Sequence, residues 1–449
     1  MTEVRTIKYI VKASQRKQYL KIPFEVPENV EKMIISYAYP GDFASSLPSD
    51  NKSVIDFALL DNTGKEVGAT GSSHRTIVIS PNFSTPGYNA CDVNSGVWTI
   101  ICGAYMIQFE ELEITYTIEF FYKHYRWLKG DLHLHTVSSD GKYTIEELSA
   151  KAVKSDYDFI TITDHNNFFH MKRLPSIPNL TIIPGVELSH YNGHMNFWGL
   201  EVPYTKPYCV NTFDEFKELH AEARERGAII SINHPFCSLC PWRWDIDQID
   251  FNTVEVWNGP MRPDNIKAYN WWHQQLLKGR KLPAVGGSDY HKDRGPKKLW
   301  GIPTTYVYAR SASKEDILQS IKEGRICTSK DAKHQPVTIT AGDKTVGDTV
   351  SLADNGTVEV NVPILPRNNT LTVYNNDKII YRYKSKARKA HYASIKVTEK
   401  GFVRAEITYR PSFSETLVNR VILYVSNRDK MFMRLPDFIH SFTNPIYFK

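Results

Sequence analysis

The sequence predicts an α/β domain built on a mainly parallel sheet, set in the chain between two β-rich modules. Three observations carry that expectation. Between about residues 125 and 330, short apolar runs alternate with amphipathic helical stretches, the pattern of repeated βα units. Before and after that region, apolar and polar residues alternate with period two, and helical periodicity is missing. In the middle region, nearly every apolar run ends in a histidine, aspartate or glutamate. The expected division is a β-sandwich over 1–124, the α/β domain over 125–330 and a β-rich module over 331–449.

The first module alternates through YLKIPFEV, KMIISYAY, DFALLD, RTIVIS, GVWTII and EITYTIEFFY, with turn signals at Asn62-Thr63-Gly64-Lys65 and Pro86-Gly87. Many short strands at such spacing suggest a sandwich. Asp56, His74, Arg75 and Trp98 would suit a sugar, but aromatic side chains in a sandwich usually form its core. In the middle region, Thr144 and Glu147 form a capping-box signature for a helix running towards Ser155. FITITDH reads as a buried strand. Asn211–Arg226 presents Phe213, Phe216, Leu219 and Ala223 on one helical face and is ended by Gly227. AIISINH and TVEVWNG are the next strands, 264–281 is helical, PAVGGSDYH follows, and Ser313 caps a last helix to Glu323. Beyond Ser329 the expectation is strands without helices: PVTITAG, TVEVNVPIL, LTVYNNDKIIYRYK, YASIKV, FVRAEITYR and RVILYVS, with a hairpin at Asn375-Asn376-Asp377.

Composition excludes several classes. With 449 residues, 41% hydrophobic and 23% charged, the chain has the make-up of a multidomain globular protein. Its net charge of +6, from 55 basic against 49 acidic residues, is too thin to indicate nucleic acid. The basic run KSKARK reads as a solvated loop. No apolar run approaches the ~18 residues of a membrane span, and no signal peptide is evident. Six cysteines do not make a disulfide framework, and the Cys237/Cys240 pair has no second pair to complete a zinc ribbon. A cytoplasmic protein with reduced thiols is expected, and its oligomeric state is not readable.

Gly130–Gly141, GDLHLHTVSSDG, places His133 and His135 two apart, so that on a strand both imidazoles point one way. Asp140 follows in a turn-forming Ser-Ser-Asp-Gly. One such pair decides little. Yet Asp164 and His165 close FITITDH, Glu187 closes TIIPGVE, His194 precedes MNFWGL, His234 closes AIISINH, and Asp289 with His291 closes AVGGSDYH. In a parallel α/β sheet or barrel the C-terminal strand ends form one rim, where sites are assembled. Six strand ends supplying such residues point to metal.

The ordered series HLHTxxSDG, TDHN, GVE, GH, NHP and GSDYH resembles the PHP (polymerase and histidinol phosphatase) domain family. The N-terminal GATGSSHRTIVIS, STPGY and SGVWTI, with the closing TNPIY, are similar to the branch containing carbaryl-hydrolase-type metallohydrolases. The resemblance implies a distorted (β/α)7 barrel with two or three divalent metals. It places His133, His135, Glu187 and Asp289 on the first metal. Glu187 bridges to the second, with His194 and His234, while Asp140, His165 and His291 hold the third. His190 competes for the role of His194, whose Gly-His context is the better match. Asp164 is expected to orient an imidazole rather than bind metal. Zinc, manganese and iron all suit a histidine–carboxylate mixture.

Three carboxylates against three divalent cations leave net positive charge, so an anionic substrate is implied. The expected function is hydrolysis of a phosphomonoester or phosphodiester by metal-activated hydroxide. No serine, cysteine or lysine sits in a recognisable nucleophile motif. Carbamate, carboxyl-ester or amide hydrolysis is the alternative implied by the sandwich-bearing branch. An inactive carbohydrate- or protein-binding scaffold is a third reading, opposed by the intact ligand set. Asn258 is a candidate substrate contact, Lys292 and Arg294 are candidate phosphate contacts, and Arg126 and Trp127 are candidates for packing. A small-molecule partner is expected; a nucleotide or nucleic acid is allowed but not indicated by charge, and no membrane partner is expected.

Overall fold

Alternation of side chains governs the first 125 residues, and the computed structural model bears it out. Residues 2–40, 52–293, 299–426 and 434–449 are described. The chain divides into two compact units, the first made of residues up to Tyr125 with Ser176–Thr181 and Arg310–Lys314. Its strands are β1 (Thr2–Lys12), β2 (Tyr19–Val26), β3 (Val30–Ala38) and β4 (Val54–Leu60). They continue as β5 (Glu66–Gly71), β6 (Thr76–Ile79), β7 (Gly96–Met106) and β8 (Glu111–Tyr122). Two antiparallel sheets result, ordered β1-β8-β3-β6 and β2-β7-β4-β5. In β8, Leu112, Ile114, Tyr116, Ile118 and Phe120 all face inward, each burial worth roughly 1.5–3 kcal/mol. Trp98 is fully buried in this core, and Arg75 donates to the Tyr39 hydroxyl at 2.7 Å. Tyr37, Phe57, Tyr116 and Phe120 share this core, whereas Tyr19 and Tyr105 are exposed.

The second unit begins with β9 (Arg126–Leu134), β10 (Phe159–Ile162), β11 (Thr181–His190) and β12 (Gly193–Trp198). Next come β13 (Ile229–Asn233), β14 (Thr253–Asn258) and β15 (Ala284–Gly287). These seven strands are neighbours in sequence order. A parallel bridge from Leu134 to Tyr290 brings the end of the last back to the first, so the sheet curls into a ring. The β9–β10 and β13–β14–β15 pairings are parallel. The β11–β12 pairing is antiparallel, because only Tyr191 and Asn192 separate the two strands and no helix can intervene, and β13 pairs antiparallel with the reversed β12. This hairpin is the distortion in the barrel.

Helix signals in the sequence are met closely. α1 (Ile145–Lys154) starts with the reciprocal Thr144–Glu147 capping box. α2 (Phe213–Glu225) repeats the device with Thr212 and Glu215. α3 (Pro263–Leu277) opens on its proline, and α4 (Lys314–Lys322) is the last helix of the middle region.

Strands β16 (Thr304–Ala309) and β17 (Ile326–Ser329) extend the sheet antiparallel from β9. The C-terminal region adds β18 (Thr338–Ala341), β19 (Lys344–Thr345), β20 (Thr349–Val350), β21 (Thr357–Leu365) and β22 (Thr370–Asn375). It continues as β23 (Lys378–Lys384), β24 (Lys389–Lys396), β25 (Gly401–Tyr409), β26 (Phe438–Thr443) and β27 (Ile446–Phe448). The large sheet runs on through β17-β26-β25-β22-β23, while β19-β18-β21-β24 form a separate sheet. The expected hairpin joins β22 to β23, with Asn376 at φ +55°. One segment differs from expectation. RVILYVS is not a strand but the second half of a helix, α5 (Phe413–Ser426). Ser412 and Glu415 form a third capping box that outweighs the β-branched composition of the run. No helix among the described residues is long and apolar enough to cross a membrane.

Candidate metal centre

His133 and His135 stand at the end of β9, their backbone alternation aiming both rings to one side, and both are fully buried. His133 Nδ1 lies 2.9 Å from Glu255 Oε1, which leaves Nε2 facing inward, 3.3 Å from Glu187 and 3.4 Å from Asp289. His135 Nε2 is 3.0 Å from Asp289 and 3.6 Å from Glu187. Glu187 is also approached by His165 at 2.8 Å, His194 at 3.2 Å and His234 at 3.5 Å. Asp140 lies 3.1 Å from His291 and 3.6 Å from His165, and His291 is 3.5 Å from Asp289. All nine sequence-predicted ligands thus meet in one cluster.

Two features of the backbone build it. His234 and Asp289 adopt positive φ, +28° and +50°, a strained region for residues with side chains that is concentrated at functional sites. Gly141 is needed for close approach rather than for a left-handed turn: a Cβ there would meet the His135 carbonyl oxygen at 2.3 Å.

Electrostatics fit a cation-binding centre. Burial pushes the carboxyls of Glu187 and Asp289 up, but the surrounding imidazoles hold both well below the ordinary carboxylate range. Burial pushes His133 down, and Glu255, Glu187 and Asp289 more than reverse it. For His135 burial prevails, so its ring is held neutral, the form that ligates metal. His133 Nε2 and both ring nitrogens of His135 are buried without a well-angled hydrogen bond. His133 Nε2 and His135 Nε2 face the carboxylates of Glu187 and Asp289, an arrangement that a divalent cation would complete.

The cluster opens on a cavity of about 510 Å³, whose lining includes Asp140, Asp289 and His291. Arg262 and Lys292 add positive charge to its wall, and Met261, Leu299, Val418 and Ile422 make an apolar side. A larger cavity of about 750 Å³, beside Trp127, Lys129 and His334, contains no cluster residue.

Residues 131–228 match the model of the PHP domain family. This segment is a PHP domain. Six of the nine cluster residues, from His133 to His194, fall inside the matched stretch. Over 41 residues the chain is 42% identical to the DNA polymerase/3'-5' exonuclease PolX of Bacillus subtilis (strain 168). That stretch is 9% of this chain and spans only 7% of the length of that relative. Among solved structures, one similar chain is a two-domain protein containing a predicted PHP-like metal-dependent phosphoesterase from Bacteroides vulgatus ATCC 8482. It has a TM-score of 0.38 at 18% identity, covering 63% of this chain and 90% of that one. Another is an amidohydrolase from Chromobacterium violaceum with bound sulfate and no metal. It has a TM-score of 0.26 at 13% identity, covering 36% and 87%.

The other residues singled out in the sequence have the following surroundings. Asp164 orients no cluster imidazole. Its carboxylate accepts from the Thr136 amide and hydroxyl, both at 2.7 Å, and from the Ser139 hydroxyl at 2.6 Å, with His170 at 2.8 Å. It fastens the turn that carries Asp140. Asn258 is buried, donates to Glu255 at 3.1 Å and Asp289 at 3.3 Å, and accepts from Arg262 at 2.8 Å. It therefore braces the Asp289 carboxylate as well as lining the cavity. Lys292 is exposed at the cavity rim, and Arg294 lies outside the described residues. Trp127 packs on Tyr308 with ring centroids 5.2 Å apart.

Three contributors were missed. Glu255 accepts from both the His133 ring and the His234 amide. Asn233 donates to Glu187 at 2.8 Å. Arg262 carries a buried Nε without a hydrogen-bond partner next to the cavity. The legible signal was a polar residue inside an apolar run, as in TVEVWN and IISIN, where burial demands a partner.

Proposed function

We propose that this chain is a metal-dependent phosphoesterase acting on a phosphomonoester or phosphodiester at a di- or trinuclear site. The nine ligands expected from sequence are proposed to hold the ions, in the grouping given above. The observation that carries the reading is the buried histidine–carboxylate cluster opening directly onto a cavity with cationic side chains in its wall. Bound divalent ions would supply a water nucleophile ionised at neutral pH and a positive clamp for the charge that develops on the ester oxygens. The chain's own side chains do the rest. Arg262, held by Asn258, is placed to pair with a phosphate oxygen, and Lys292 adds a second positive charge at the rim. Asn258 fixes Asp289, and Glu255 fixes His133, so ligand geometry is set before substrate arrives. Val418 and Ile422 give the leaving group an apolar surface, which suits an aryl or alkyl alcohol.

That same apolar wall favours one second reading, hydrolysis of a neutral carbamate, carboxyl ester or amide, the chemistry of the sandwich-bearing branch. A panel of aryl phosphate, bis-aryl phosphate, aryl acetate, aryl amide and aryl carbamate, assayed after loading with zinc, manganese or iron, separates the two. The phosphoesterase reading expects turnover of the phosphates only, abolished by chelator and with KM raised in Arg262→Ala. Turnover confined to neutral esters, amides or carbamates selects the second reading. Failure to turn over any of them, together with failure to bind metal, selects the scaffold. A cytoplasmic location is proposed with it, consistent with six unbridged cysteines.

A further inference from the structure

The Cys237–Cys240 pair is the sequence motif that the proposed reaction leaves unused. It lies in the loop that follows His234 at the end of β13, beside the cluster. The loop is built rather than loose. Cys237 N donates to the His234 carbonyl and Trp242 N to the Pro235 carbonyl, both at 2.9 Å, and Arg243 N reaches Asn192 O at 2.8 Å. Trp242 packs so tightly on Gly193 that a Cβ there would meet its ring at 2.5 Å. The loop is thereby fixed over the residue preceding His194.

This packing brings Cys240 Sγ to 3.8 Å from His234 Nδ1. One ligand atom each from His194, His234 and Cys240 lie within 4.8 Å of one another. Zinc–sulfur and zinc–nitrogen bonds of ~2.3 and ~2.0 Å at a tetrahedral angle separate the two donors by roughly 3.5 Å. The observed sulfur–nitrogen distance needs only a small contraction to meet that. The same two histidines face Glu187, through His194 Nδ1 at 3.2 Å and His234 Nε2 at 3.5 Å, and Glu187 is also approached by His133, His135, His165 and Asn233.

We propose that Cys240 is a metal ligand, joining His194 and His234 on one divalent ion of the cluster and making that position selective for zinc. The assignment rests on the metal-binding part of the function proposed above. On binding, the Cys240 thiol gives its proton to solvent and the sulfur bonds to the ion, with no change of oxidation state. A soft sulfur donor favours zinc or cobalt over manganese or magnesium, which prefer oxygen. Cys240 Sγ donates to Cys237 Sγ at 3.5 Å. With Cys240 bound as a thiolate that donation is lost, and Cys237 is a neighbour of the ligand sulfur and not a ligand itself.

The test uses the full chain, stripped with chelator under reducing conditions and loaded with cobalt(II), together with C240S and C237S. The expected result is a near-ultraviolet thiolate-to-cobalt charge-transfer band in the wild type and C237S, absent from C240S. Zinc affinity at one site of C240S should fall by more than about tenfold. Cobalt bound by the wild type without the band, or a band that survives in C240S, overturns the assignment alone. A wild-type chain that binds no cobalt overturns the metal reading and this assignment together.

Discussion

Glu255 shows what single residues could and could not reveal. The nine cluster residues were legible because histidines and carboxylates recur where apolar runs end, and burial of so many without partners is improbable. Glu255 sits inside TVEVWN, where one carboxylate in a strand gives no hint of what it faces. Only the fold brings it 2.9 Å from His133. Glu255→Ala should weaken metal binding about 10–100-fold while leaving the chain folded, as read by competitive chelator titration. A second residue-scale outcome concerns acid stability. His440 is held down to about 4 by burial and by the positive charge of His334 and Lys330, with Asp331 opposing. Its folded value lies below the ordinary ~6.5, so its neutral form is favoured on folding and the associated stability is complete above that value. It is lost as pH falls towards 4: about 2 kcal/mol disappears between about pH 7.5 and about pH 5. Denaturant titrations of His440→Phe at those two pH values should show that much less acid sensitivity than the wild type.

At the scale of elements, capping chemistry decided where the reading succeeded. Thr144–Glu147 was seen in the sequence as a capping box and starts α1. Ser412 and Glu415 have the same spacing, and the run after them, with Val421, Ile422, Leu423 and Val425, has strand-type composition. The structure makes this run α5, with Phe413, Leu417, Val421 and Val425 on one exposed stripe at i, i+4 spacing. β-propensity is weak where no neighbouring strand offers a partner, and a local cap then decides. Ser412→Ala should cost about 1 kcal/mol of helix stability and accelerate amide exchange in α5 first. Unchanged exchange there would remove the cap from the explanation.

For the molecule as a whole, the period-two and βα patterns revealed the classes of its parts but not their connections. Sheet registry between residues far apart leaves no local trace in a sequence. The C-terminal strands do more than follow the barrel. Asn444 pairs with both the amide and carbonyl of Ala284 at 2.8 Å, and β26 hydrogen-bonds to β17. Phe438 and Phe442 share a core with Val254, Trp257 and Trp272. A chain ending at residue 330 should therefore fail to fold cooperatively, as read by circular dichroism and calorimetry, and a sharp native-like transition would show the barrel to be autonomous. The measurement that bears most directly on the whole is elemental analysis of the purified chain beside His133→Ala and Asp289→Ala. Two or three equivalents of zinc, manganese or iron per wild-type chain, reduced in both variants without loss of the N-terminal sandwich, is the expected result. A wild-type chain that carries no metal and takes up none when manganese or zinc is added would contradict it.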